Sequence, residues 1–102
     1  MKDEKDLRSR TKAFALRIIT LYDTLPRSGS AQVSGYQLLR SGTSVGANFR
    51  EAHRARSNAE FISKVGDSLK ELEETSYWLE LWPILEQLSL QNLHRSSMRP
   101  RN

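Results

Sequence analysis

The sequence predicts an all-α protein of four helices, the last of them short, that associates with copies of itself. Three observations carry this. Apolar residues return at helical spacing in successive segments. Turn and cap signals, PRSGSAQ (26–32) and SNAE (57–60), fall between those segments. Finally, more apolar side chains lie off the main stripes than one bundle of this size covers, since a chain of 102 residues buries only about two thirds of its unfolded surface.

Leu7, Phe14, Ile18, Leu21 and Leu25 form a helical stripe, so a first amphipathic helix is expected from Asp3 to about Leu25, ended by Pro26. In the loop that follows, Gly29 is free to take positive φ and Ser30 is placed to cap the next helix. That second helix should run to about Ala55 and turn Leu38, Val45, Phe49 and Ala52 inward. Gly35, Gly42 and Gly46 each lower its propensity by roughly 1 kcal/mol relative to alanine, so the fold must offset them. Ser57 and Glu60 make a capping box ahead of a third helix. Its stripe is Phe61, Val65, Leu69, Leu72, Ser76 and Leu79, with Glu60–Lys64 and Lys70–Glu74 as exposed i,i+4 pairs. This helix is expected to reach about Trp82. Pro83 then breaks it or opens a short fourth helix, Ile84 to about His94. One domain, 1–95, precedes a tail, 96–102, expected to be basic and disordered.

The second helix explains its own small residues. Ser34, Leu38, Ser41, Val45, Asn48 and Ala52 share one face, with Gly42, Gly46 and Phe49 beside it, and low-volume side chains allow close helix approach. Arg40, Ser44, Asn48 and Glu51 follow one flank and suit a polar network across a helix interface. Reading Glu51 as base and Ser44 as nucleophile lacks an activating histidine in register, so no enzyme is expected.

Composition excludes further classes. Without cysteine there is no disulfide frame, thiolate metal site or Cys nucleophile, which suits a reducing cytosol. The N-terminus MKDEKDLRSR lacks a signal-peptide core, and no apolar run approaches the roughly 18 residues of a membrane span, so a soluble cytoplasmic protein is expected. His53 and His94 have no carboxylate in a recognised metal spacing. Asp67, Glu71 and Glu74 share a helical side, but surface carboxylates are usually solvated or salt-bridged. GTSVG (42–46) lacks the lysine and spacing of a P-loop. Neither metal nor cofactor is expected.

The net charge of +4 is unevenly placed, basic early and in the middle, acidic from Asp67 to Glu86. Such asymmetry suits nucleic acid, and it suits pairing between subunits equally well. Lys5, Arg8, Lys12, Arg50, Arg54 and Arg56 are the expected phosphate contacts, although no base-stacking aromatic signature accompanies them. Leu16, Ile19, Tyr22, Tyr77, Trp78, Leu81 and Trp82 are the expected oligomer interface, because they lie off the stripes and include the aromatic anchors typical of interfaces. The alternative is that the short fourth helix covers them.

Residues Gln37 to Leu81 carry Arg40, Ser41, Ser44, Asn48 and Glu51, then Glu60-Phe61, then Ser68, Leu69, Glu71, Leu72 and Glu73. This pattern resembles the four-helix-bundle proteins encoded within intervening sequences of bacterial large-subunit ribosomal RNA genes. The resemblance implies an antiparallel up-and-down four-helix bundle, assembled as a homopentamer with a basic surface. Five subunits of +4 would carry roughly +20. It is also similar to the accessory proteins of diversity-generating retroelements, which implies RNA and a reverse transcriptase or other nucleic-acid enzyme as partners. Two departures stand out. Ala52-His53-Arg54 replaces a small-residue turn, and the region after Trp82 is short for a full fourth helix, so the fourth helix is expected to be short or truncated. The function expected is a non-enzymatic, self-assembling accessory of RNA or a ribonucleoprotein. Its rival is a scaffold or regulator whose basic face docks an acidic protein.

Overall fold

The structure, a computed structural model, describes residues 2–27 and 29–98. They form three helices, α1 (Lys2–Thr24), α2 (Gly29–Ala52) and α3 (Asn58–Met98), and no strand is present among them. α2 lies in the middle and packs against both α1 and α3. Neighbours are antiparallel: Thr11 and Ile18 of α1, and Leu25 just past its end, meet Gly46, Gly42 and Gly35 of α2 in reverse order. On the other side Ser68 and Thr75 of α3 meet Val45 and Ser41.

The connections are built locally. Leu25 N–H donates to the Tyr22 carbonyl at 3.1 Å to close α1, Pro26 prevents its continuation, and Gly29 takes φ +62° as α2 begins. Ser30 therefore falls inside the first turn of α2 instead of ahead of it. α2 stops at Ala52, short of the expected Ala55, because His53, Arg54 and Ala55 donate to carbonyls three residues back and tighten the last turn. Half of the capping box at α3 forms: Glu60 N–H donates to Ser57 Oγ at 3.1 Å, while the Glu60 carboxylate reaches one residue further back and accepts from Arg56 N–H at 3.4 Å.

The expected short fourth helix is not a separate element. α3 runs through Pro83 to Met98 as one helix of 41 residues, so the four-helix count gives way to three. Proline removes one intrahelical donor and crowds the carbonyl four residues back, but helices on both sides of it are long enough to hold the axis. Residues 96–98 of the expected tail belong to α3, and 99–102 lie outside the described residues.

The two seams of α2 differ in chemistry. Toward α1 the seam is notched by glycine. A Cβ at Gly35 would lie 2.6 Å from Leu25 Cδ1, and one at Gly42 would lie 2.8 Å from both Ile18 Cγ atoms. The missing side chains let Ile18 and Leu25 reach the α2 backbone, and the contact offsets the propensity cost. Toward α3 the seam is small and hydroxylated. Ser68 donates to the Val45 carbonyl at 2.7 Å, and Thr75 donates to Ser41 Oγ at 2.9 Å, all within a buried strip.

That second seam corrects the expected stripe of α3. The residues that contact α2 are Ser68, Glu71, Glu74 and Thr75, and the apolar stripe lies about a quarter-turn or more away. Leu69 is 58% exposed and Leu72 40% exposed. The reason is that α3 meets one helix only, and α2 offers it hydroxyls and small residues. The whole chain is extended as a result, with a radius of gyration of 17.9 Å against about 13 Å for a compact domain of this length. Its accessible surface, 7898 Å², exceeds the roughly 5,900 Å² of a compact monomer of this mass by about 2,000 Å². No described helix is long and apolar enough to cross a membrane.

Candidate nucleic-acid interface

Antiparallel packing brings the early turns of α1, the last turn of α2 and the start of α3 to one end of the molecule. There the basic residues of two helices meet. Arg8, Arg50, Glu51, His53 and Arg54 line an open depression of about 540 Å³. One turn along the α1–α2 groove, Lys12 and Arg50 share a second, of about 330 Å³. Arg50 thus joins two hollows into one basic track. Lys5 and Arg56 are exposed near the same end but line neither hollow.

Charge at this end is only partly compensated. Glu51 accepts from Lys64 of α3 at 2.8 Å, and that hydrogen bond is the main cause of a raised Lys64 pKa. Lys64 therefore reaches across the helix pair to Glu51, where i,i+4 spacing pointed to Glu60. The α3 N-terminus is less open than free N–H groups would make it, because Ser57 and Glu60 occupy the cap.

The expected polar network divides between two places. Arg40 Nη1 donates to both Glu71 oxygens, at 3.3 and 3.2 Å, Nη2 donates to Glu74, and Nε donates to Gln37 at 3.3 Å. The hydrogen bond to Glu71 is the largest cause of a raised Arg40 pKa. Glu71 and Glu74, two of the three carboxylates weighed as a cation site, are thereby held by a guanidinium. Glu51 pairs with Lys64, while the Ser44 hydroxyl donates back to the Arg40 carbonyl of its own helix at 2.6 Å. Asn48 is half-buried on the same helix. These are two ion-pair clamps from α2 to α3.

The expected interface residues are spread over two helices. Leu16 is 55% and Ile19 39% exposed on α1, and Tyr77 is 55% exposed on α3. Tyr22, Trp78, Leu81 and Trp82 are half-buried. Trp78 Nε1 donates to Glu74 at 3.4 Å, and its ring meets Tyr77 edge-on at 5.2 Å.

Sequence reasoning missed a ring cluster beside the basic hollow. His53 meets Phe49 edge-on at 4.7 Å and Phe61 at 5.5 Å, bridging the α2–α3 turn. Phe49 and His53 at i,i+4 were the available signal, but Phe61 joins them only because the short turn folds α3 back.

Compared with known proteins, the chain matches the family model of the 23S rRNA-intervening sequence protein over residues 4–97. No curated protein matches it. Among solved structures it is similar to a protein of unknown function from the S23 ribosomal protein family of Bacteroides thetaiotaomicron VPI-5482. The two are 50% identical over 72% of this chain and 68% of that one, with a TM-score of 0.68.

Proposed function

This chain belongs to the 23S rRNA-intervening sequence protein family, and from that premise we propose that it is a non-enzymatic cytoplasmic accessory of RNA, bound through phosphate contacts at the basic end of the helices. The observation that carries the reading is the convergence of Arg8 from α1, Arg50 from α2 and Arg54 from the turn after it on one hollow, with Lys12 a turn further on. Guanidinium groups bind phosphate oxygens strongly, and counterion release would make the binding salt-dependent and tolerant of sequence.

The reading extends to assembly. Leu16, Ile19, Leu69 and Leu72 are exposed on α1 and α3, and the excess surface of about 2,000 Å² is on the scale that stable interfaces bury. A closed homo-oligomer, a pentamer by resemblance, would cover those faces and repeat the basic hollow around its axis. A fourth helix facing α3 would then come from a neighbouring copy. A nucleic-acid enzyme such as a reverse transcriptase is the protein partner class that fits beside it.

The test is binding of a structured RNA across a salt series. The wild type should weaken linearly in log–log form, and Arg50→Gln with Arg54→Gln should lower the slope by about two for each hollow the RNA occupies, since each lost phosphate contact removes about one. Affinity that ignores salt, or an unchanged slope in the double variant, would overturn the reading. Binding to an acidic protein that excess RNA does not displace would favour the scaffold alternative.

A further inference from the structure

We propose that the hollow takes an unpaired nucleotide, its base stacked on the His53–Phe61 rings and its phosphate held by Arg8, Arg50 and Arg54; this rests on the RNA reading above and names the RNA as single-stranded. Three features converge on it. His53 links the rings to the arginines: it lines the basic depression, and Phe61 meets its ring from just outside that lining. The rings are accessible, with His53 exposed and Phe61 37% exposed. They are also held in place: Phe49 supports His53 from α2 at 4.7 Å and Phe61 meets it from α3 at 5.5 Å, so a stacking partner need not order them.

The geometry selects against a duplex. In a paired A-form helix the base faces are covered by their neighbours, and only edges, sugars and phosphates are presented. A ring platform set among phosphate ligands has nothing to stack on there, whereas an unpaired base offers its full face. The hollow of about 540 Å³ falls within the range of roughly 300–1,000 Å³ common for small-ligand sites, enough for one nucleotide. Among the described residues Glu51 is the one carboxylate on its lining, and Lys64 at 2.8 Å offsets its charge.

The experiment measures affinity of the intact chain for three probes at fixed pH and salt: an oligouridylate of about 12 nucleotides, the same strand paired in a duplex, and inorganic polyphosphate, which has no bases. His53→Ala and Phe61→Ala should each weaken the single strand about five- to hundredfold and leave polyphosphate unchanged, while His53→Tyr should retain binding. Both sites are exposed, so either variant suffices if the other misfolds. A duplex bound as tightly as the single strand, or a ring variant that leaves oligouridylate binding unaltered, would overturn the inference while salt-dependent RNA binding stands. Wild-type protein that binds polyphosphate alone also overturns it. Absence of any polyanion binding at low salt would instead overturn the RNA reading and this inference together.

Discussion

Gly42 and Gly66 both sit in helix interiors, yet alanine should act on them with opposite sign. Either substitution gains up to about 1 kcal/mol of helix propensity. At Gly66 a new Cβ meets nothing within 4 Å, so Gly66→Ala should raise the thermal midpoint. At Gly42 it would come within 3.1 Å of Ile18 Cβ as well as 2.8 Å of both Cγ atoms, and a β-branched side chain that is 2% exposed cannot step aside. Overpacking of this kind typically costs about 1–3 kcal/mol, so Gly42→Ala should lower the midpoint, as denaturation of the two variants side by side would show. Lys64 gives a pH signature. Its pKa is raised by the hydrogen bond to Glu51, so the pair's contribution is fully present below the unfolded lysine value, about 10.4, and is lost as pH rises through the higher folded value. The stability difference between wild type and Lys64→Met should therefore be flat around neutrality and shrink only in strong alkali. A difference that persists unchanged through strong alkali would assign the stabilisation to another group.

At the scale of the element, α3 is the unusual member. Its 41 residues span about 62 Å, close to the 66 Å long axis of the molecule, whereas α2 with 24 residues covers only about 36 Å of it. The last turns of α3 therefore run beyond their neighbour, which is why Ile84, Leu88 and Leu90 remain exposed. Pro83 sits inside this helix and costs up to about 3 kcal/mol relative to alanine. Pro83→Ala should raise the thermal midpoint and slow amide exchange in the residues around it. A lower midpoint would mean that the proline ring is needed for packing.

The molecule as a whole exposes more than a compact chain should, and its apolar exposure is concentrated on α3, with smaller shares on α1 and α2. Substituting a residue that is exposed in the monomer is normally worth less than about 0.5 kcal/mol. Under the proposed assembly, Leu16→Asp or Leu69→Asp should instead reduce the particle mass measured by light scattering, with helicity retained. The same variants should flatten the salt dependence of RNA binding, because a monomer presents one basic hollow where a ring presents several. A wild type that is already monomeric at all concentrations would remove the assembly proposal and leave the hollow on each chain intact.

What the sequence determined by itself was local. Helical periodicity, the stop at Pro26, the positive φ at Gly29 and the Ser57–Glu60 cap all depend on neighbours within a few residues, and each is found where those neighbours placed it. The Arg40-to-Glu51 flank likewise showed that α2 carries polar groups to a helix interface, although not which carboxylates would answer them. Tertiary structure decided what periodicity cannot express. Proline lowers a helix's stability without dictating its end, so the continuity of α3 depended on the whole chain. An apolar stripe says that a face wants burial, but the partner's surface chooses which face is buried; the small hydroxylated seam of α2 took Ser68 and Thr75 and left Leu69 outside. The meeting of Arg8 with Arg50, and of Phe61 with His53, spans residues far apart in the chain or across a turn, and only antiparallel packing brings them together.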